Sequence, residues 1–311
     1  MTTRSVYGLG QAPPQWYNRL ASKLLPVGFK IIHLFQNEFM LKDLGALNYF
    51  LGIEATHTSH GLLLTQSKYI LYLLTKANMA QCNTISTPAN TNKKLSQAVS
   101  EPAKDPHLYR TIVGGLQYLS LTRPNISFSV NKVSQFVHNP TETHKATIER
   151  ILRYLKATMH HGVFLSKLTS SALNVYSDAD WASSLDDWKS TSGYAIFMGS
   201  NLISWSVRKQ NTVACSSTEA EHHAVGAAAT EVVWIQSLLR EISQVSPIVP
   251  ILWCDNIGVT YLSANPLFHA CMKHIEVEFH YVHDLVTSKQ LQVWFLSLKD
   301  QLVDVLKEAL T

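Results

Sequence analysis

A chain of 311 residues has room for about two ordinary domains. With 46% hydrophobic and 15% charged residues it falls in the globular range, which excludes wholesale disorder. A formal charge of +4 permits a polyanionic partner without demanding one, no run approaches ~18 consecutive apolar residues, and Met1 to Leu20 lacks the apolar stretch of a signal peptide. The expectation is an intracellular protein of cytoplasm or nucleus, not secreted and without a membrane partner.

In chain order, Gln66 to Met79 has helical spacing, with Tyr69, Ile70, Leu73 and Leu74 on the apolar side. Residues 83–106, where Thr87-Pro88, Pro102 and Pro106 stand among Asn, Ser, Thr and Lys, are too long for a tight turn and read as an extended connection. Tyr109 to Leu121 and Ile126 to Val137 read as helices separated by Arg123-Pro124. A longer helix opens at Pro140 and Thr141, carries Ile148, Ile151, Leu152 and Leu155 at i, i+3, i+4 and i+7, and ends before His160-His161-Gly162. The polar stretch through Ser166, Thr169, Ser170 and Ser171 then divides the chain into residues 1–160 and 171–311.

The second part changes to short apolar blocks between turn residues. Leu173 to Tyr176, Gly193 to Met198 and Leu202 to Val207 read as strands, the last two joined by a Gly199-Ser200-Asn201 turn. Thr218 with Glu221 reads as a capping box ahead of a long helix bearing Ala224, Val225, Ala228, Val232, Ile235 and Leu239. Ile251 to Cys254 is a buried-type strand, Ile275 to Val286 a helix, Leu291 to Leu298 a strand and Asp300 to Leu310 a terminal helix. The class is α/β, with the order βββαβαβα.

Within that order Asp178 follows the first strand, Glu219 lies in the first turn of the long helix, Asp255 ends a strand and Asp304 lies in the last helix. Taken singly, such acids are more often turn formers or partners of the helix dipole. Gathered together they repel unless cations neutralise them, and hard oxygen donors suit Mg²⁺ or Mn²⁺. Two such ions, roughly 3.5–4 Å apart, activate water on one side of a phosphodiester and stabilise the departing oxygen on the other.

The blocks Tyr176-Ser177-Asp178-Ala179-Asp180-Trp181, Ser190-Thr191-Ser192-Gly193-Tyr194, Leu202-Ile203-Ser204-Trp205-Ser206, Ser216-Ser217-Thr218-Glu219-Ala220-Glu221, Cys254-Asp255-Asn256, Lys273-His274-Ile275-Glu276 and Asp300-Gln301-Leu302-Val303-Asp304 come in one order. Residues 171–311 thereby resemble the ribonuclease H domain of copia-type retrotransposon polyproteins. The resemblance implies a mixed five-stranded sheet and cleavage of the RNA strand of RNA–DNA hybrids. It places the catalytic acids, holding two Mg²⁺ or Mn²⁺ ions, at Asp178, Glu219, Asp255 and Asp304, with Asp180 and Glu221 as neighbours rather than ligands.

Residues 1–160 resemble the late part of the same polyproteins' reverse transcriptase. The matching blocks are Val6-Tyr7-Gly8-Leu9, Gln11-Ala12-Pro13, Trp16-Tyr17, Met40-Leu41-Lys42-Asp43-Leu44-Gly45, Tyr49-Phe50-Leu51-Gly52-Ile53, Tyr109-Arg110, Gly115-Leu116-Gln117-Tyr118, Thr122-Arg123-Pro124 and Ile151-Leu152-Arg153-Tyr154-Leu155-Lys156. This implies a mostly helical remnant resembling a thumb or connection. In the family a long segment with a Tyr-x-Asp-Asp hairpin separates landmarks that nearly abut here, Gly28-Phe29 and Asn37-Glu38-Phe39, and the strand with the other polymerase aspartate would precede Met1. Polymerase activity is therefore expected to be absent. Leu185-Asp186-Asp187, flanked by Ser183, Ser184 and Lys189, reads as a solvated loop rather than a replacement hairpin, and Trp188 stands where the family has a basic residue.

A hybrid-cleaving nuclease must contact phosphates and sense 2′-hydroxyls. Ser216, Ser217, Thr218 and Asn256 are the expected polar contacts, and Arg208 and Lys209 the expected phosphate contacts. Trp181 and Trp205 read as core more readily than as stacking platforms. Cys82, Cys215, Cys254 and Cys271 lack CxxC pairing, and His269, His274, His280 and His283 fit no standard zinc framework, so buried thiols and ordinary loop histidines are preferred. His269 or His274 on a loop assisting leaving-group protonation is the less favoured reading.

The rival readings are a catalytically inactive remnant with at most weak nucleic-acid binding and, further behind, an integrase-like transferase, disfavoured because the acids run Asp, Glu, Asp, Asp. Other polyprotein products are possible partners.

Overall fold

The structure, a computed structural model, describes residues 47–90, 95–97, 100–168, 170–244, 246–264, 276–297, 299 and 301–303. Asn48–Val232 and the segment from Ile248 onward belong to one compact unit, and Val233–Pro247 to another. No helix among the described residues is long and apolar enough to cross a membrane.

Three strands stand ahead of the expected helices: β1 (Tyr49–Phe50), β2 (Ile53–His57) and β3 (Gly61–Thr65). With β4 (Val163–Ser166) they form an antiparallel sheet in the order β1-β2-β3-β4. Hydrophobic periodicity does not announce these strands, because blocks this short lack the length that separates a strand from a buried helical turn. Gly61 and Gly162 allow β3 and β4 to approach: a Cβ on the first would collide with the Leu165 carbonyl, and on the second with the Leu64 carbonyl.

The helices are α1 (Ser67–Lys76), α2 (Pro106–Leu119), α3 (Ser127–Ser134, preceded by a 3₁₀ turn at Pro124–Ile126) and α4 (Glu142–Ala157). The Asp105 carboxylate accepts from the Leu108 amide at 2.9 Å and so caps α2, whose first residue is Pro106. The apolar stripe of α4 is fully used: Ile148, Ile151, Leu152 and Leu155 all join the core that contains Ile70, Leu73, Leu116 and Leu119. Burying each such side chain stabilises the fold by about 1.5–3 kcal/mol.

The segment from residue 83 to 105 shows no regular element among its described residues apart from a bridge between Pro102 and Thr141. His144 pins it. This side chain is fully buried, its ring stacks on Phe136 with centroids 3.9 Å apart, Nδ1 accepts from the Thr141 amide at 3.1 Å, and Nε2 faces the Ser96 carbonyl at 3.2 Å.

The second sheet has the order β7-β6-β5-β8-β9. β5 (Leu173–Asp180), β6 (Thr191–Met198) and β7 (Asn201–Lys209) form an antiparallel meander, and β8 (Ile251–Cys254) and β9 (Gln292–Phe295) add in parallel to β5. α5 (Ser217–Glu241) connects β7 to β8, and α6 (Ile257–Ala264) and α7 (Glu276–Thr287) lie between β8 and β9. This is the mixed five-stranded sheet expected of an RNase H-like domain. On one face Tyr176, Ala195, Phe197, Leu202, Trp205 and Val207 pack with Val303. The register places Val175, Ile196 and Leu252 together on the other, all fully buried.

Several expectations need correction. β5 runs on to Asp180, so Asp178 lies inside the strand rather than after it. The hairpin turn is Gly199-Ser200, with Gly199 at φ +59°, and Asn201 already belongs to β7. α6 is a helix beyond the expected order, which becomes βββαβααβ over the described residues. The expected terminal helix from Asp300 to Leu310 lies largely outside them, as do Met1 to Ala46, His269, Cys271 and His274.

Burial holds the His144 pKa below its ordinary value, against the opposing pull of the Ser96 carbonyl and the Asp186 charge. The fold therefore favours the neutral ring: its contribution is fully present above the unfolded pKa of about 6.5 and is lost as pH falls from there toward the lowered folded value. Urea unfolding should show stability falling as the pH drops below about 6.5, and the decline should be shallower in His144→Gln. An equal slope in the two proteins would contradict the assignment.

Candidate metal centre

The site is built where β8 ends and its parallel pairing with β5 stops. β5 and β8 pair with Ser177 opposite Cys254, so Asp178 and Asp255 are the next residues on strands about 4.8 Å apart. Asp178 is 3% exposed, and Asp255 is partly exposed.

α5 carries two glutamates, and it is Glu221 rather than Glu219 that it brings toward Asp255. Ser216 Oγ accepts from the Glu219 amide at 3.1 Å, while Glu219 Oε2 accepts from the Cys215 amide at 2.8 Å. This Ser-x-x-Glu pair caps the helix in place of the expected Thr218 and Glu221. At about 100° per residue Glu221 projects from the side of the helix opposite Glu219. It is 6% exposed, and its Oε1 accepts from the Ala179 amide at 3.0 Å, the peptide that follows Asp178. Ligand atoms of Glu221, Cys254 and Asp255 lie within 4.8 Å of one another, among the described residues the one grouping tight enough to share an ion. The structure thus brings Glu221 to Asp255 and leaves Glu219 at the helix cap, while Asp178 stands outside that tight group on the adjacent strand.

Burial, reinforced by the Glu221 and Asp255 charges, pushes the Cys254 thiol pKa far up, although the Asn256 amide points at its sulfur from 3.4 Å. The thiol therefore stays protonated, and the competent donors are carboxylate oxygens, as a hard divalent cation requires. The residues fit such an ion. Gln301 is 6% exposed and donates from Nε2 to the Ser177 carbonyl at 3.1 Å, tying the chain to β5 beside Asp178. Asp304 lies outside the described residues.

Behind the acids, α5 meets α7. His223 Nδ1 lies 2.5 Å from Glu278 Oε2, a hydrogen bond that raises the His223 pKa against the effect of burial. His222 is fully buried and stacked on Phe279, and burial lowers its pKa to about 4, so this ring is neutral.

The expected substrate contacts divide. Ser216 is occupied in capping, and Asn256 Oδ1 accepts from the Val259 amide at 3.1 Å, capping α6. Lys209 Nζ pairs with Asp187 at 2.7 Å and meets Ser184 Oγ at 2.9 Å, holding the acidic loop. Ser217 is exposed and Thr218 half-buried in the first turn of α5, and Arg208 is exposed with no ion pair among the described residues. Trp181 is 51% exposed rather than core, its indole N–H donating to the Ala214 carbonyl, whereas Trp205 is partly buried. No grouping of histidines suited to zinc occurs among the described residues.

A meander extended by two parallel strands, with carboxylates collected where the pairing of β5 with β8 stops, defines an RNase H-like domain. A model of the reverse transcriptase (RNA-dependent DNA polymerase) family matches residues 31–91. The chain is 42% identical over 347 residues to the retrovirus-related Pol polyprotein from transposon RE1 of Arabidopsis thaliana, covering 99% of this chain and 24% of that protein. It is 30% identical to the Pol polyprotein from transposon TNT 1-94 of Nicotiana tabacum, over 97% of this chain and 26% of the relative. The chain belongs to the family of copia-type retrotransposon Pol polyproteins. It spans about a quarter of the length of these relatives. Among solved structures, LC11-RNase H1 in complex with RNA/DNA hybrid is 10% identical, with a TM-score of 0.32 over 42% of this chain and 88% of that one. The foamy viral protease-reverse transcriptase in complex with RNA/DNA hybrid is 14% identical, with a TM-score of 0.46 over 84% of this chain and 30% of that one.

The two glutamates of α5 should separate in stability measurements without metal. Glu219→Gln weakens a cap and should cost about 1 kcal/mol, whereas Glu221→Gln removes a buried charge beside Asp255 and should leave stability unchanged or raised. Urea midpoints in EDTA check this; equal losses would place both side chains in the same role.

Proposed function

We propose that residues 171–311 form a metal-dependent endonuclease that cleaves the RNA strand of RNA–DNA hybrids. Residues 1–160 are then a reverse-transcriptase remnant without polymerase activity. The observation that carries this reading is the approach of Glu221 and Asp255 within 4.8 Å, beside the strand position of Asp178. Carboxylates this close, one of them buried, repel, and a protein retains them where a cation is to be held.

Asp178, Glu221 and Asp255 would supply the oxygen ligands, with Asp304 the expected fourth. When bound, two Mg²⁺ or Mn²⁺ ions would neutralise the acids and activate water for attack on phosphorus. The Ala179 amide orients Glu221, and the protonated Cys254 thiol leaves the oxygen donors as the only charged ones in the group. Ser217 and Thr218 present hydroxyls and amides at the positive end of the 25-residue helix α5, a natural seat for a substrate phosphate. The substrate is then an RNA–DNA hybrid met inside the cell, in cytoplasm or nucleus.

Purified protein with Mg²⁺ or Mn²⁺ and a labelled hybrid should release RNA fragments, and EDTA should abolish the reaction. Asp178→Asn and Glu221→Gln should each lose at least ~100-fold in rate, while Glu219→Gln should stay within about threefold once folded. Hybrid binding without any cleavage above the Asp178→Asn background would instead identify an inert remnant. Loss in Glu219→Gln with retention in Glu221→Gln would return the ligand role to Glu219.

A further inference from the structure

A cavity of about 500 Å³ lies along the outer edge of β7, walled on the other side by α2 and α3. Two hydrogen bonds fix its walls: Asn131 Nδ2 donates to the Val207 carbonyl and the Trp205 indole N–H donates to the Ser120 carbonyl, both at 3.0 Å. None of its described lining residues is acidic, and Arg208, exposed and without an ion pair among the described residues, stands at its border. Glu231 lies behind the lining residue Ser204, accepting from its hydroxyl at 2.8 Å, so the exposed guanidinium of Arg208 is the charged group in the lining and favours an anion. Leu121, Val130, Ile203 and Trp205 add an apolar wall. The volume lies in the range of about 300–1,000 Å³ typical of small-molecule sites, more than a lone phosphate fills.

The register relates the cavity to the acids. Asp178 pairs with Gly193 and Gly193 with Val207, so the cavity edge lies on the same rung, two strand spacings or roughly 10 Å from the Asp178 backbone. Successive phosphates of one strand advance about 3.4 Å along a duplex, so that distance is the reach of about three nucleotides.

We propose that this cavity is a subsite for one nucleotide of a nucleic-acid strand. Arg208 pairs with the phosphate, and the apolar wall receives sugar or base. The subsite lies apart from the acid cluster and does not depend on turnover there, so it is tested on the full chain in EDTA.

Anisotropy of a labelled single-stranded DNA oligonucleotide should show Arg208→Gln weakening binding at least fivefold and reducing the salt slope by about one. Ser134→Trp, which fills the cavity from the α3 side, should weaken binding similarly, with circular dichroism confirming that both variants fold. A mononucleotide should compete at concentrations where inorganic phosphate does not. Unchanged affinity in both folded variants would overturn the proposal, and so would inorganic phosphate competing as well as the mononucleotide, since the cavity would then be a plain anion site.

Discussion

The parallel pairing of β5 with β8 is the constraint on which the rest of the site depends. It aligns Ser177 with Cys254, so that Asp178, still within β5, and Asp255, just past the end of β8, are neighbours. A parallel neighbour cannot be reached by a tight turn, so the chain must make a long crossover, here through α5. The crossover begins at the end of the sheet where the acids emerge, and its first turns carry Glu219 and Glu221. The cost of gathering negative charge is thus built into the topology, and cation binding is the use of it that the chemistry favours.

Which glutamate faces the acids is settled by the helix cap. Two Ser/Thr-x-x-Glu pairs overlap in Ser216-Ser217-Thr218-Glu219-Ala220-Glu221, and either satisfies the pattern of a capping box. Capping by Ser216 fixes the start of α5, holds Glu219 back over the Cys215 amide, and sends Glu221 toward Ala179. A cap shifted by two residues would put Glu221 in the capping position that Glu219 now holds and leave His223, not an acid, in the place from which Glu221 reaches Ala179. The same economy applies at Asn256, which sits next to an acid yet serves first as the cap of α6.

The helical layer and the five-stranded sheet meet along β7, an edge strand whose outward backbone groups need partners. Asn131 and Trp205 supply hydrogen bonds across the seam, and Ser166 and Asn201 link β4 to β7 through their amides and hydroxyls. These polar contacts join the pieces while leaving the cavity between them open. Buried Arg123 plays a comparable part within the helical layer, donating to the Thr158 carbonyl and hydroxyl at the end of α4.

The sequence by itself determined the elements whose period is long enough to read. The stripe of Ile148, Ile151, Leu152 and Leu155 fixed α4, and the spaced apolar blocks with their turn fixed the meander, because burial acts on every repeat of a regular pattern. Ordered blocks of residues carried the family, and with it the kind of sheet. Only the tertiary structure decided the rest. The strands β1 to β4 are too short to show a period and exist because their edges pair with one another; α6 follows a cap that looks like a substrate contact; Lys209 is taken by Asp187 from a loop twenty-odd residues earlier. Glu221 rather than Glu219 approaches Asp255 for the same reason. A local pattern states which conformations a segment can adopt, whereas the choice between two equivalent caps, or between two acids one helical half-turn apart, is made by partners that the fold brings from far along the chain.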